Sequence, residues 1–264
     1  MDLRESEITN SEESGRHPWE KARREVVVSL IKRFLPRIMN ERSQVLDIGC
    51  GDTWLIEQLS SDLVQSKFIA VDTAFNEQLL KKYRDRLNRD KFEVFDSLDS
   101  ALINREKKAD LVLLLDVIEH IEDDITFLKW TQSFSNHITT ETKFLITVPA
   151  FQSLFCEHDV FLGHYRRYTN RMLKQHIEEA GMEVEHIGYF FFTLLPLRII
   201  EVLKEKLSSS EKSAKGVASW KEKSTDAIIK WVLLTDYKVS TLFNKIGIRL
   251  PGLSNYIVCK PKSK

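Results

Sequence analysis

Two glycines that follow a short apolar run carry the most informative chemistry in the sequence. The run ends in Asp47-Ile48, and Gly49, Cys50 and Gly51 come next. Glycines let the backbone turn sharply and let a ligand approach closely. Dinucleotide binders use GxGxxG and phosphate-binding loops use GxxxxGK[ST], whereas here a carboxylate precedes the glycines and no phosphate-binding lysine follows. We therefore predict a site for a cationic ligand rather than for a pyrophosphate.

A second carboxylate follows at a position suited to ribose recognition. Asp72 ends the apolar run KFIAVD, twenty-five residues after Asp47. An acidic side chain at the end of a second strand can accept hydrogen bonds from both ribose hydroxyls. The two carboxylates together indicate a nucleoside with a positive tail and no phosphate, and S-adenosylmethionine fits that description.

With these motifs, the chain from about His17 to Ala180 resembles the class I S-adenosylmethionine-dependent methyltransferases, whose first motif is roughly (D/E)xGxGxG. Within that class it is similar to a bacterial group of types 11, 12 and 23. The resemblance implies a Rossmann-like fold and S-adenosylmethionine as the cofactor. Thr53 stands where the motif has its third glycine, so the path of this loop is the least certain part of the match.

The same resemblance implies a set of cofactor-binding residues. The first motif would shape the methionine end of the site, Asp72 would bind the ribose, and Asp96 would lie near the adenine. Asp116 and Glu119-His120 in LLLDVIEHIED match the family's fourth motif and the "EH" that often follows it. The predicted cofactor-binding residues are Trp19, Arg23, Asp47, Gly49, Cys50, Gly51, Asp72, Asp96, Asp116 and His120.

Trp19 and Arg23 belong to an opening segment, HPWEKARR, that resembles the start of the same bacterial group. A helix there could close over the cofactor and exclude water, which a reactive sulfonium requires. The alternative is an amphipathic helix that packs on the domain and has a solvated basic face. The sequence leaves both interpretations open.

The segment VPAFQSLFCEHDVFLGHYRRYT, 148–169, also resembles this group and is the best source of catalytic residues. We predict His158, His164 and Tyr165 as catalytic. Methyl transfer is an in-line displacement, so most of the acceleration can come from positioning the acceptor. A hydroxyl acceptor must also lose a proton, for which an imidazole oriented by a carboxylate is suited. His158 with Asp159 nearby, or His164, could supply these groups, although adjacent side chains such as those of His158 and Asp159 often point apart.

Two arginines in the same segment have two possible roles. Arg166 and Arg167 could pair with a carboxylate or phosphate on the substrate. Alternatively, they form a structural clasp together with Tyr168. No cluster of His, Cys, Asp or Glu at metal-ligand spacing is evident, so the sequence predicts no metal site.

The function that follows is methyl transfer to a small-molecule, saccharide or lipid-linked acceptor, with oxygen as the preferred atom. The second hypothesis is a non-catalytic cofactor-binding or scaffold protein that acts at a membrane or a partner. A nicotinamide dehydrogenase is disfavoured by the glycine spacing. The chain has 39 basic and 39 acidic residues, so its formal charge is zero and no nucleic-acid partner is expected.

The elements that position these residues alternate between strands and helices, which predicts a mostly parallel sheet covered on both faces. We expect an α/β, Rossmann-like, doubly wound fold with seven strands and a helical insertion before the last one. A long loop is expected over 149–168, and then a helix from Thr169 to Gly181. The predicted strands are 44–48, 67–72, 91–95, 109–116, 143–148, 183–190 and 255–262.

The insertion, 191–250, has an unusual composition. The chain after residue 160 holds 18 basic and 10 acidic residues, and aromatic and apolar residues accompany the lysines. Such a segment can lie on an anionic membrane surface. A helical lid packed on its own domain, or a dimer contact, explains the same residues, and we favour that interpretation.

The remaining expectations concern organisation and location. We expect a flexible tail over 1–16, one methyltransferase domain over 17–264 and a flexible loop at 208–224. The longest apolar stretch, YFFFTLLPL, is too short to span a bilayer. The amino terminus lacks the apolar core of a secretion signal, so we expect a cytoplasmic protein that could contact the inner membrane face. Three widely spaced cysteines predict neither a disulfide framework nor a structural zinc site.

Overall fold

The computed structural model describes residues 16–103, 107–207 and 225–263, and within them the chain forms one seven-stranded sheet. Every predicted strand is present, with bounds that differ by at most a few residues. The strands are β1 Gln44–Ile48, β2 Lys67–Val71, β3 Phe92–Phe95, β4 Leu111–Leu115, β5 Lys143–Pro149, β6 Met182–Phe190 and β7 Ser254–Pro261.

The strand order is β3-β2-β1-β4-β5-β7-β6. Strands β1 to β5 run parallel, and β7 is antiparallel to both of its neighbours, β5 and β6. The strands after β1 are added on one side of it as far as β3, and β4 then lies on the other side of β1. The direction of strand addition therefore reverses between the neighbouring strands β1 and β4. The predicted Rossmann-like architecture is therefore confirmed, and ligands of open α/β sheets bind outside the carboxyl ends of the strands at such a switch point.

The first helix, α1 Pro18–Phe34, covers one face of the sheet. His17 caps it by accepting the Trp19 N–H on Nδ1 at 3.1 Å, and Pro18 occupies the first turn, where its missing N–H is not needed. A short helix, α2 Pro36–Asn40, follows after Leu35. The buried residues of α1 are Pro18, Glu20, Ala22, Val26, Val27, Leu30 and Ile31.

The helices between the strands are short and have local caps. Asn76 caps α4 and Asp123 caps α6, each through a side-chain oxygen that accepts a backbone N–H. Apolar residues of these helices and strands fill two clusters, one on each face of the sheet. The helices are α3 Trp54–Leu59, α4 Glu77–Arg86, α5 Leu98–Leu102 and α6 Asp124–Ser133.

The segment 149–168 is not the unbroken loop that the sequence predicted, because it contains a short helix, α7 Glu157–Leu162. The Asp159 carboxylate accepts the Cys156 N–H at 3.0 Å and so closes the first turn of α7. Gly163, with φ at 77°, ends it. Next comes α8 Asn170–Glu179, which Thr169 caps as expected.

The insertion contains two helices, α9 Leu194–Leu207 and α10 Asp226–Lys245. The predicted flexible segments, 1–16 and 208–224, lie outside the described residues except for Arg16. Leu233 and Tyr237 of α10 join the apolar cluster that contains α1. Within the described parts of the chain, no helix combines the length and the apolar character that a membrane crossing needs.

Candidate active site

The glycine turn between β1 and α3 adopts a conformation that its sequence requires. Gly49 and Gly51 have φ values of 76° and 58°, in the left-handed region that glycine tolerates best. A Cβ on Gly49 would lie 2.6 Å from a methyl of Val117, which is too close for any real side chain. The N–H groups of Gly49 and Cys50 donate to the Val71 carbonyl, which ties the turn to the end of β2.

Thr53, the departure from the family motif, takes the same left-handed conformation, with φ at 64°. It is fully buried, and its hydroxyl donates to Glu57 at 2.8 Å and accepts from the Arg86 guanidinium at 2.6 Å. These two hydrogen bonds offset the cost of a β-branched residue in this region. The loop therefore follows a glycine-like path although the third glycine is absent.

Asp72 lies at the end of β2 and holds the glycine turn from the other side. Its carboxylate accepts the Gly51 N–H at 2.8 Å and the Ala74 N–H at 3.0 Å. Both N–H donors come from the turns that flank the carboxyl ends of β1 and β2, so the carboxylate lies between these two turns. Asp72 is therefore placed at the sheet edge where the sequence predicted it.

Asp47, near the end of β1, is buried close to Asp72 and Arg23. Burial, and then the negative charge of Asp72, raise the pKa of Asp47 to about 7, which Arg23 only partly opposes. A buried carboxyl of this kind is stabilised as an anion when a positive group binds near it. This is the electrostatic environment expected for a cationic ligand.

Arg23 reaches from α1 to the carboxyl ends of β4 and β5. Its guanidinium pairs with Asp116 at 2.9 Å and donates to the Thr147 hydroxyl at 3.1 Å, and that hydroxyl donates to Asp116 at 3.0 Å. Asp116 itself has a left-handed φ of 58°. The guanidinium also lies 5.4 Å from the centre of the Trp19 ring, so both predicted residues of the opening helix lie at the candidate site.

Two other predicted cofactor residues have less distinctive surroundings. Asp96 follows β3, is exposed, and accepts a hydrogen bond from the Ser100 hydroxyl at 2.9 Å. Cys50 is buried in the glycine turn, and burial, followed by the charge of Asp47, raises the pKa of its thiol well above the usual range. Cys50 is thus a neutral thiol, and its backbone N–H is what helps to shape the turn.

The turn after β4 and the segment after β5 bring three further groups together. Glu119 and His120 lie on a single 3₁₀ turn, and the rings of His120 and His164 pack edge to face with centroids 4.6 Å apart. Glu119 is completely buried beside them. Sequence reasoning predicted both histidines but gave Glu119 no role, because only the fold shows its proximity to His164.

His164 is held by a buried carboxylate. Its Nδ1 donates to Asp159 at 2.9 Å, and Asp159 also accepts from the Arg167 guanidinium at 2.8 Å. Burial of Asp159 opposes its ionisation, but the hydrogen bond from His164 and the charge of Arg167 outweigh it and keep its pKa below the usual range. The sequence suggested His158 as the partner of Asp159, whereas in the structure Asp159 pairs with His164.

His158 and Tyr165 flank this pair without joining it. His158 lies on α7, half-buried, and burial, followed by the charge of Arg198, lowers its pKa. Tyr165 is 52% exposed, and its backbone N–H donates to the Glu119 carbonyl at 2.7 Å. The structure thus places both residues in the segment that carries His164.

The two arginines after Tyr165 are bound to the protein's own groups, as the clasp interpretation expected. Arg166 donates to the carbonyl oxygens of Ile121 and Glu122 and pairs with Asp124 at 3.1 Å. Arg167 is buried against Asp159. Tyr168, also fully buried, donates to Asp124 at 2.7 Å. These contacts fix the segment that carries His164 to the turn that carries Glu119 and His120.

The sequence of residues 19–187 matches the model of a family described as "Methyltransferase domain". The chain belongs to this methyltransferase family. The family assignment covers the glycine turn, Asp72, Asp116 and the segment with His164, and it favours the enzyme over the scaffold hypothesis. No protein of curated function matched the sequence.

Solved structures similar to this methyltransferase are distant in sequence. The plantazolicin methyltransferase, solved with a triazolic desmethylPZN analog and SAH, is 14% identical, with a TM-score of 0.54 over 91% of this chain and 85% of that one. The methyltransferase domain of bacterial CtHen1-C is 15% identical, with a TM-score of 0.52 over 92% and 99%. A SAM-dependent methyltransferase from Archaeoglobus fulgidus is 22% identical, with a TM-score of 0.47 over 91% and 96%.

S-adenosylmethionine is the cofactor of this methyltransferase, and the residues at the sheet edge fit it. The Asp72 carboxylate lies beside the glycine turn, where it accepts the Gly51 N–H, and buried Asp47 favours a cation. A dinucleotide would instead place its pyrophosphate beside Asp47, where the two negative charges repel. The predicted enzyme class and cofactor are therefore confirmed.

Proposed function

We propose that the protein transfers the methyl group of S-adenosylmethionine to an oxygen of a small-molecule, saccharide or lipid-linked acceptor. The observation that carries this proposal is the His164–Asp159 hydrogen bond of 2.9 Å at the carboxyl edge of the sheet. A methyltransferase that only positions a free amine needs no oriented imidazole, whereas a hydroxyl must be activated before it attacks.

The residues around the glycine turn would hold the cofactor. Asp72 would accept the ribose hydroxyls, and Asp47 would face the cationic methionine end. Asp96, after β3, would lie on the adenine side. Asp116 is paired with Arg23 at 2.9 Å, so this pair, with Trp19 and His120, would close the site above the sheet and exclude water.

The cofactor supplies a methyl carbon on a positively charged sulfur. His164 activates the attacking oxygen, and its imidazole can do this either as a general base or as the ligand of a cation that acidifies the hydroxyl. In both cases the bond to Asp159 fixes the ring and leaves Nε2 as the reactive nitrogen. His158 and Tyr165, on either side, would contact the acceptor.

Transfer of labelled methyl groups tests this role of His164. The His164→Ala variant should lose about 10²- to 10⁴-fold in turnover of hydroxyl acceptors, while its affinity for S-adenosylhomocysteine should stay within about twofold of wild type. The matched control is His186→Ala, because His186 is exposed on β6 and stacks on Phe34. Unchanged turnover in His164→Ala, or methylation of amines alone, would contradict the proposal.

An exposed apolar surface next to the active site supports an amphiphilic or lipid-linked acceptor. Val202 is the buried residue of α9, and Arg198 on the same helix lies 3.5 Å from the Asp159 carboxylate. The helix thus links the outer surface to the group that orients His164. The exposed apolar side chains of α9 are Leu197, Ile199, Ile200, Leu203 and Leu207.

The helix α9 has three basic and two acidic residues, so its charge is weakly positive. Lys204 and Lys206 lie in the last turns of α9, and α10 exposes Trp231 beside further apolar groups. Aromatic, aliphatic and lysine side chains on one surface are typical of helices that lie at a membrane interface. Docking there would present a lipid-linked hydroxyl to the active site from the membrane side.

Flotation with phosphatidylglycerol-containing vesicles tests the membrane contact. We expect wild type to float with anionic vesicles and the Ile200→Gln, Leu203→Gln variant to remain in solution. Val64→Gln with Ile103→Gln is the matched control, because both residues are 68% exposed on other parts of the surface. Equal flotation of the two variants, or none of wild type, would contradict this part of the proposal and leave a freely diffusing acceptor.

A further inference from the structure

The carboxyl group of Glu119 is buried in an unusual way. The side chain has no exposed surface, and within the described part of the chain neither of its oxygens has a hydrogen-bond partner. Burying an unpaired polar group costs about 1 to 3 kcal/mol, and more if it is charged. A fold retains such a group at a cost, which points to a ligand for this carboxyl group.

Two imidazoles face this carboxyl. One ligand atom from each of Glu119, His120 and His164 lies within 4.8 Å of those of the other two. Ligands of one ion at about 2.1 Å each lie about 3 to 4 Å apart, so small rotations of the three side chains would bring them to one centre. We call these residues the Glu119–His120–His164 cluster.

His164 is already oriented as metal-ligating histidines usually are. Such a histidine donates its second ring N–H to a carboxylate or a carbonyl, which fixes its tautomer. Here Nδ1 of His164 donates to Asp159 at 2.9 Å, and Arg167 and the Cys156 N–H hold that carboxylate in turn. Nε2 of His164 is therefore the nitrogen that remains for a ligand.

The backbone around the cluster is also rigid. Tyr165 donates its N–H to the Glu119 carbonyl at 2.7 Å, and the Tyr168 hydroxyl lies 3.2 Å from the Ile118 carbonyl. The two chain segments that supply the ligands are thus joined on both sides of the cluster. Asp116, the neighbouring carboxylate, is engaged by Arg23 and Thr147, so we do not count it as a ligand.

We propose that the Glu119–His120–His164 cluster binds a divalent first-row transition cation that activates the acceptor hydroxyl. One carboxylate and two imidazoles favour Mn²⁺, Fe²⁺ or Zn²⁺ over Mg²⁺, which prefers oxygen ligands. Three protein ligands leave open positions for the oxygen of the acceptor. This inference rests on the proposed function, since it specifies how His164 activates that oxygen.

The transfer of the methyl group from sulfur to oxygen needs no oxidant or reductant. The cation lowers the pKa of the acceptor hydroxyl, and the proton passes to water. The new O–C bond forms as the C–S bond of the sulfonium breaks, and its electron pair stays on sulfur, which becomes a neutral thioether. His164 acts here as a ligand, so the free imidazole base is not needed.

Titration with Mn²⁺ after chelation and dialysis tests the site without reference to activity. The free-ion electron paramagnetic resonance signal and calorimetry should show one ion per chain bound to wild type. Glu119→Gln and His120→Ala should each weaken binding at least tenfold, and Zn²⁺ should compete while Mg²⁺ should not. Glu122→Gln is the matched control, because this acid is exposed and lies three residues from Glu119.

The variants also separate this inference from the proposed function. Glu119→Gln keeps the size of a side chain whose two oxygens have no hydrogen-bond partner in the described residues, so folding and affinity for S-adenosylhomocysteine should be unchanged. Absence of Mn²⁺ and Zn²⁺ binding to wild type, or equal binding by Glu119→Gln, would overturn the cation site. Metal-independent transfer to a hydroxyl would contradict the cation's role in activating that hydroxyl, although oxygen methylation would still hold. Cation binding together with methyl transfer to amines alone would contradict the proposed function instead.

Discussion

Single residues with unusual environments mark the edge of the sheet where we propose that the cofactor binds. Gly49, Thr53 and Asp116 all have left-handed φ values; Gly49 and Asp116 directly follow β1 and β4, and Thr53 lies in the turn after β1. Non-glycine residues in this region cost about 1 to 3 kcal/mol each and cluster at functional sites. Asp47 adds a buried carboxyl with a pKa of about 7. The protein maintains these costly features where a ligand must approach the backbone.

Asp47 makes cofactor affinity depend on pH. Its folded-state pKa of about 7 means that the anion, which attracts the cationic end of the cofactor, becomes populated only as the pH rises toward neutrality. We expect the affinity for S-adenosylhomocysteine to rise about tenfold between pH 5.5 and 7. In Asp47→Asn the affinity should be low and independent of pH. Calorimetric titrations across this range provide the measurement, and an equally steep profile in the variant would exclude Asp47 as the cause.

At the scale of elements, a buried acid joins the segments that carry the active site. Asp124, at the start of α6, accepts from Tyr168 at 2.7 Å and from His176 of α8 at 2.7 Å, and it pairs with Arg166. One carboxylate thus connects the turn after β4, the segment after β5 and α8. The position of His164 relative to His120 depends on this connection.

Removing the Tyr168 hydroxyl should loosen this connection. Tyr168→Phe leaves one fewer donor on a buried carboxylate, so we expect the free energy of unfolding to fall by about 1 to 3 kcal/mol. Turnover should fall as well, because His164 is displaced, while cofactor affinity should hold. Urea denaturation measures the first effect. Tyr165→Phe, whose ring is half-exposed, serves as the stability control, and equal losses in the two variants would argue against the clasp.

Local signals explain which elements could be predicted. Some features depend only on residues that are adjacent in the sequence, and the sequence predicted these well. They are the apolar strands β1 to β5, the N-terminal cap of α8 at Thr169 and the end of that helix at Gly181. The helix α7 was missed because its first turn depends on Asp159 bonding back to the Cys156 N–H. The choice of His164 over His158 as the partner of Asp159, and the place of Glu119 beside both histidines, depend on tertiary structure.

At the scale of the whole molecule, one side of the insertion packs on the rest of the domain and the other side is exposed. Leu233 and Tyr237 of α10 pack with the buried face of α1, and Lys230 pairs with Glu25 at 3.2 Å. This packing agrees with the lid interpretation favoured from the sequence. The other side exposes Trp231 and Ile228, which apolar composition alone could not distinguish from core residues. Packing on α1 supports one domain from 17 to 264, which we propose as the folding unit.

Leu233 tests whether the insertion belongs to that unit. Leu233→Ala creates a cavity between α10 and α1, so it should lower the free energy of unfolding by about 2 to 5 kcal/mol in one cooperative transition. Trp231→Ala, at a side chain that is 66% exposed, should change it by under about 0.5 kcal/mol. Urea denaturation, monitored by circular dichroism, measures both changes in the free energy of unfolding and shows whether the transition is single. A stable core with a separately melting insertion would mean two units.

The most direct test of the central claim is calorimetric titration of the purified protein with S-adenosylmethionine and S-adenosylhomocysteine, with NAD as the control ligand. We predict micromolar affinity for both adenosyl ligands, no binding of NAD, and a loss of at least tenfold in Asp72→Ala, which removes the acceptor for the ribose hydroxyls. Absence of binding at millimolar adenosyl ligand, or unchanged affinity in Asp72→Ala, would contradict the account of this site.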